Sequence, residues 1–263
     1  MKGAPLPSHL FAEGSRVTLP PPAAIGMPLA EVDTPALIVD LEAFEANLRR
    51  LADVLPKDGR IKLRPHAKTH KSPDIALQQM RHGAVGVCCQ KVSEAEILVR
   101  GGVPDVLVSN QIAGPTKLRR LAALAREARV GVCVDDAGNV ADLDAAADEA
   151  GISLRLLVEI NVGANRCGVE PGEPAAQLAE TIARAKHLRF GGLQVYHGSA
   201  QHIRDHGERR TAIQRAGDMA GSTRDLIRRK GIDCPTVTGA RTGSFRFEIE
   251  TRSEEHTSEL QSH

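Results

Sequence analysis

Residues 61–71 read IKLRPHAKTHK, and the alternation inside this stretch decides the fold. In an extended chain successive side chains point to opposite faces, so Lys62, Arg64, His66 and Lys68 share one face and Ile61, Leu63, Pro65 and Ala67 the other. A wet edge strand could carry such a cationic row into solvent. The rest of the chain argues for an inner strand, because further apolar runs follow at similar spacing with helix-like segments between them, the pattern of a parallel sheet or barrel. A buried cationic face needs an anion. At an effective dielectric of ~20, two unit charges ~6 Å apart repel by roughly 2.8 kcal/mol, on the order of two pKa units for a lysine in that company. A lysine so placed is a nucleophilic amine, the group needed to form a Schiff base with a carbonyl cofactor or substrate.

Upstream, residues 1–30 hold Pro5, Pro7, Pro20, Pro21, Pro22 and Pro28 among Gly and Ala, which predicts an extended arm. Residues 36–39 (ALIV) read as a short strand, and Asp40 caps a helix with Leu41, Phe44, Leu48 and Leu51 on one face. Downstream, helices are expected over 73–81, 92–102, 115–128, 139–150, 173–186 and 205–229. Strands are expected over 85–90, 105–110, 130–136, 154–161, 190–198 and 235–239. Seven strands counted from residue 61, plus the one at 36–39, make eight, the number that closes a TIM-type (β/α)8 barrel. Polar residues cluster at the predicted strand ends, where such barrels keep their active sites: Lys68, Gln90, Asn110, Asp135, Asn161, Tyr196, His197 and Thr238.

The chain's 263 residues, 41% hydrophobic and 25% charged, suit one barrel-sized α/β domain. A formal net charge of +1 with mixed signs gives nucleic-acid binding no electrostatic support. The five cysteines, Cys88, Cys89, Cys133, Cys167 and Cys234, are odd in number and lack C-x-x-C spacing. They read as core residues in a reducing compartment. With neither a signal-like N-terminus nor ~20 uninterrupted apolar residues, the expected location is the cytoplasm, without membrane insertion.

Four motifs, RPHAKTHK, VGVCCQKVSEAE, VEINVGANRCGV and LQVYHGSAQH, stand in an order and at separations that resemble a family of fold-type III pyridoxal-phosphate enzymes. That family comprises D-threonine aldolase, 3-hydroxy-D-aspartate aldolase and D-serine dehydratase-like proteins, and the resemblance runs over about residues 19–248. It implies an alanine racemase N-terminal-domain type of barrel, with Lys68 carrying pyridoxal 5'-phosphate. Lys71, beyond the strand end, is the rival amine. Arg166 would lie near the cofactor's phenolic oxygen, Tyr196 beside its pyridine nitrogen, and Gln90 in the cofactor pocket. His197 and His202 are the candidate acid-base groups. His202 and His206, four apart, would share one face if helical and could form a metal pair.

The resemblance further implies cleavage of β-hydroxy-D-amino acids, D-threonine-like, to glycine and an aldehyde, assisted by a divalent metal (Mn, Mg or Zn), in a homodimer. A D-serine or 3-hydroxy-D-aspartate dehydratase and a non-catalytic cofactor-binding barrel are the alternatives.

Two departures from the family pattern stand out. The phosphate-holding turn, glycine-rich in the family, here reads Thr238, Gly239, Ala240, Arg241, Thr242, Gly243. A positive φ at either replaced glycine would cost on the order of 1 kcal/mol. In the family, moreover, the 36–39 strand leaves the barrel for a C-terminal β domain that also supplies metal ligands. The expectation is therefore a barrel over residues 31–251 without its eighth strand, unstable and inactive as it stands. Residues 252–263, RSEEHTSELQSH, have no apolar period, resemble translated adapter sequence, and are expected to be a non-native tail.

Overall fold

In the computed structural model, which describes residues 23–250 and 256–258, the lysine stretch lies where its alternation requires. β1 (Lys62–Leu63) is a short ladder, but the pairing continues past it. Val85 N–H donates to the Leu63 carbonyl at 2.9 Å, Cys88 N–H to Pro65 at 2.7 Å and Ala67 N–H to Cys88 at 2.7 Å. β2 (Val87–Cys89), β3 (Asp105–Val108), β4 (Arg129–Val134), β5 (Leu154–Ile160), β6 (Leu188–Val195) and β7 (Val237–Gly239) follow. All ladders are parallel, in the order β1-β8-β7-β6-β5-β4-β3-β2. Bridges Leu63↔Ala84 and His66↔Cys88 join β1 to β2 and close the ring.

β8 (His256–Ser258) corrects the expectation of a missing eighth strand. It lies between β7 and β1, pairing Thr257 with both Thr238 and Lys62. Ladder pairing uses backbone N–H and C=O groups, so a gap flanked by two strand edges accepts a segment without apolar alternation. The rest of the expected tail lies outside the described residues, as do residues 1–22 of the expected arm.

The chain divides into two units, Met1–Phe44 and Glu45–His263. In the first, residues 36–39 form no strand; Leu37, Ile38 and Val39 are exposed, and no ladder reaches them among the described residues. Asp40 does cap α1 (Leu41–Val54), its Oδ1 accepting from Ala43 N–H at 2.8 Å. The second unit holds the barrel and its outer helices: α2 (Pro73–Arg81), α3 (Val92–Arg100), α4 (Pro115–Leu124), α5 (Ala137–Ala150), α6 (Glu173–Arg184), α7 (His206–Arg229) and α8 (Phe245–Ile249). Their starts follow local chemistry. Ser72, Asp136 and Asp205 cap α2, α5 and α7 through their side-chain oxygens, and Pro73, Pro115 and Pro174 sit in first turns.

Two cores result. The larger packs helix residues such as Leu98, Leu121, Leu143 and Ile182 on the outer faces of the strands. The smaller, Cys88, Leu107, Cys133 and Leu157, fills the barrel interior. Charged and polar groups lie on the same inward face above and below it, which sets the site at one end.

Candidate active site

Lys68 stands half-buried just past the point where the β1 segment leaves the barrel. The turn that presents it is tied by His66, which is 3% exposed. Its Nδ1 accepts from Lys68 N–H at 3.2 Å, and its Nε2 lies 3.4 Å from Ser109 Oγ. Ser109 Oγ also donates to the Cys89 carbonyl, so the network assigns a neutral imidazole with its proton on Nε2. Burial, then the charges of Lys68, Arg241 and His70, push the His66 pKa down to about 3. This corrects the expected row of cations: His66 is neutral, and Arg64 is ion-paired with Asp105 at 2.7 Å near the opposite end. Lys71 is diverted, at φ 52, to an ion pair with Glu94 at 3.6 Å. Glu94 also accepts from Gln90 N–H at 2.9 Å, which places Gln90 beside this turn.

Tyr196 continues β6 into the rim. The guanidinium carbons of Arg166 and Arg241 lie 5.1 and 5.2 Å from its ring centroid, within cation–π range. Arg166 comes from the loop after β5, organised by Asn161, whose Oδ1 accepts from Gly163 and Asn165 N–H. Glu159 holds Arg166 at 3.6 Å and accepts from Gln111 at 2.8 Å. Burial pushes the Glu159 carboxyl above its usual range, while Gln111 and Arg166 oppose the shift.

Thr238 and Gly239, the last two residues of β7, lead into the rim turn and are both buried. Ala240 takes φ 78, the positive value that the missing glycine would have favoured. Arg241 reaches across to the 3-10 turn Gly198–His202, approaching the Gly198 carbonyl at 3.5 Å. With the Gln201 amide turned to accept, Arg241 Nε and Nη1 both donate to it at 3.0 Å. Thr242 and Gly243 complete the turn, Gly243 against Gln201.

His197 and His202 are separated in role. His197 is half-buried, with Nδ1 3.2 Å from Ser199 Oγ. Because Ser199 Oγ donates to the Gly163 carbonyl, Nδ1 carries the proton and Nε2 keeps a lone pair. Burial lowers its pKa, so the ring is neutral at pH 7. A Cβ on Gly163, at φ 118, would sit 2.8 Å from that Nε2, so glycine is needed for the ring's approach. His202 is exposed and hydrogen-bonds to none of these groups. The expected His202–His206 pair does not form one helical face, because His202 ends the 3-10 turn and His206 begins α7 against Phe247. Among the described residues no group of three His, Cys, Asp or Glu could hold a metal ion.

Sequence reasoning missed Glu159, Gln111, Ser199 and Gln201. Glu159 was detectable as the one acid inside the apolar run LRLLVEI; the others show only through their partners.

The model of the family described as alanine racemase, N-terminal domain, matches residues 39–256. D-threonine aldolase of an Arthrobacter species is 47% identical over 232 residues, 88% of this chain and 61% of that protein. 3-Hydroxy-D-aspartate aldolase of Paracoccus denitrificans (strain Pd 1222) is 44% identical over 229 residues, 86% of this chain and 59% of that protein. The crystal structure of D-threonine aldolase from Filomicrobium marinum superposes with a TM-score of 0.86 at 53% identity, covering 92% of this chain and 65% of that one. The chain thus spans about three fifths of the curated relatives' length.

Proposed function

We propose, from the premise that this chain belongs to the alanine racemase N-terminal-domain family, that it is the barrel of a pyridoxal-phosphate-dependent aldolase acting on β-hydroxy-D-amino acids. The observation that carries the reading is the rim. One half-buried lysine, a neutral histidine beneath it and two guanidiniums on one tyrosine share a barrel end, while the rival Lys71 is held by Glu94.

The donor set fits the cofactor's chemistry. Lys68 would bind its carbonyl carbon, Arg166 its phenolic oxygen, and the 238–243 turn with Arg241 its phosphate. Gln90 and Tyr196 would flank the ring. When bound, the cofactor supplies a conjugated sink for the electron pair left at Cα. The chain's own part is positioning and proton transfer. His66 fixes the Lys68 turn, Glu159 aims Arg166, and Gln201 anchors Arg241. His197 Nε2, unprotonated at neutral pH, is the base for the substrate β-hydroxyl, and loss of that proton lets the Cα–Cβ bond break toward the aldehyde. A divalent metal is the second cofactor that the resemblance implies; the described residues offer no ligand set for it. A homodimer and a cytoplasmic setting complete the reading, the latter suited to five cysteines outside any disulfide.

The test is borohydride reduction of the protein incubated with pyridoxal phosphate, followed by peptide mapping. A pyridoxyl group on Lys68 is expected; one on Lys71, or none in folded protein, overturns the assignment. Aldehyde rather than keto acid from D-threonine separates aldolase from dehydratase.

A further inference from the structure

The barrel end opposite Lys68 holds a second charged cavity. Its volume is about 220 Å³, and its lining includes Lys62, Arg64, Asp105, Arg129, Arg155 and Thr238. Asp105 is the one carboxylate among the described lining residues, and it serves three guanidiniums: Arg64 at 2.7 Å, Arg129 at 3.4 Å and Arg155 at 3.8 Å. The Arg155 Nε–H is buried and has no hydrogen-bond partner. Burial, together with Arg64 and Arg129, pushes the Arg155 pKa below its usual value against the pull of Asp105, as expected where positive charge is in excess.

The arginines are built into the barrel. A Cβ on Gly86 would overlap Arg64 Nη1, one on Gly131 would lie 3.2 Å from Arg155 Nε, and one on Gly191 would lie 2.6 Å from Arg155 Cγ. Glycines at three places round the ring thus leave room for two guanidiniums. A purely structural ion cluster would balance its charges, since an unpaired buried charge is costly. Among the described lining residues the buried Arg64 and the partly buried Arg155 share the single carboxylate of Asp105, with the solvated Arg129 beside them.

We propose that this floor is a binding site for a small oxyanion of the phosphate or sulfate class, held by Arg64, Arg129 and Arg155. Guanidiniums are suited to this, because each presents paired N–H donors in the geometry of two oxygens. The size agrees: the cavity is below the roughly 300–1,000 Å³ of organic-ligand pockets. It equals about seven waters at ~30 Å³ each, enough for one oxyanion and part of its hydration shell. The site shares Thr238 with the start of the rim turn, but none of its three guanidiniums belongs to the rim.

The test uses the full chain saturated with pyridoxal phosphate, so that phosphate titrated afterwards meets a filled rim. Inorganic phosphate is added at an ionic strength fixed with sodium chloride, and thermal unfolding is followed. The expected result is a Tm rise of about 3 to 6 °C at ten times the apparent Kd. Arg129→Ala, at a side chain 71% exposed and so tolerant of truncation, should weaken that Kd about tenfold. Arg155→Met should abolish the rise. Should Arg155→Met not fold, crystals of the parent protein soaked in selenate must show anomalous density between Arg64, Arg129 and Arg155. A Tm that follows ionic strength alone, an Arg129→Ala Kd equal to the parent's, or selenate density elsewhere would each overturn the proposal.

Discussion

Acid should unfold this protein partly through one residue, His66. Its pKa is about 3 in the folded chain against an ordinary 6.5, and it is 3% exposed, so solvent screening takes little from the effect. The folded-state value is depressed, so the unfolded chain binds the extra proton between those two pH values. The stabilisation is therefore complete above pH 6.5 and is lost as pH falls toward 3. Linkage gives a loss of about 2 kcal/mol by pH 5 and about 5 kcal/mol at the lower limit. That is a large share of a typical net stability of ~5–15 kcal/mol. His66→Asn is the informative variant, because its Oδ1 can take the place of Nδ1 as acceptor for the Lys68 N–H while removing the titration. Both proteins are unfolded in urea at pH 7 and pH 5. The parent should lose about 2 kcal/mol more than the variant between the two pH values, whatever the variant's stability at pH 7. His70 and His197, also lowered by burial, remain in both and cancel in the difference. Equal losses to within about 0.5 kcal/mol would refute the assignment of a buried neutral imidazole beneath Lys68.

Three other outcomes follow from the same geometry. Gly163→Ala, with a Cβ 2.8 Å from His197 Nε2, should displace the ring and lower kcat for D-threonine cleavage by about 10- to 100-fold with cofactor binding kept, read by steady-state kinetics and cofactor absorbance. Arg241→Ala removes two donors to Gln201 and one face of the Tyr196 stack, so the Kd for pyridoxal phosphate should rise about tenfold or more in an absorbance titration. Asp105→Asn leaves Arg64, 5% exposed in its side chain, without a counter-charge, and should destabilise the fold by about 3 kcal/mol in urea.

The parts legible in the sequence were those that repeat. The helix expected over 73–81 is α2 to the residue, since Ser72, Pro73 and the basic last turn mark both ends. The period-2 row of residues 62–68 did place Arg64 and His66 inside. Its charges were misread, because alternation specifies a face and not a partner: the anion for Arg64 is Asp105, 41 residues away on β3. Gln111 and Gln201 were hidden for the same reason, each owing its role to a partner on another strand or loop, whereas Glu159 stood out as the one acid in LRLLVEI. Residues 36–39 had the composition of a strand, yet a strand exists only in a ladder, and none reaches them among the described residues. β8 is the converse, three residues without a strand pattern that pair because two strand edges are presented to them.

The same inward face that begins at Arg64 ends at Lys68, so the two ends of the barrel are electrically within reach of each other. Four residues at ~3.3 Å each put the floor about 13 Å from the rim. At an effective dielectric of ~20, one uncompensated floor charge is worth about 1.3 kcal/mol there, close to one pKa unit. The groups beside His66 act over shorter paths, and after burial the largest causes of its shift are Lys68 and then Arg241. Between the ends lie Cys88, Leu107, Cys133 and Leu157, all buried, together with the buried Thr238. The floor thus adds a positive bias to the rim, on top of the nearer charges of Lys68 and Arg241 that act on His66. By the same arithmetic a singly charged oxyanion bound there would offset about one pKa unit of that bias and a doubly charged one about two.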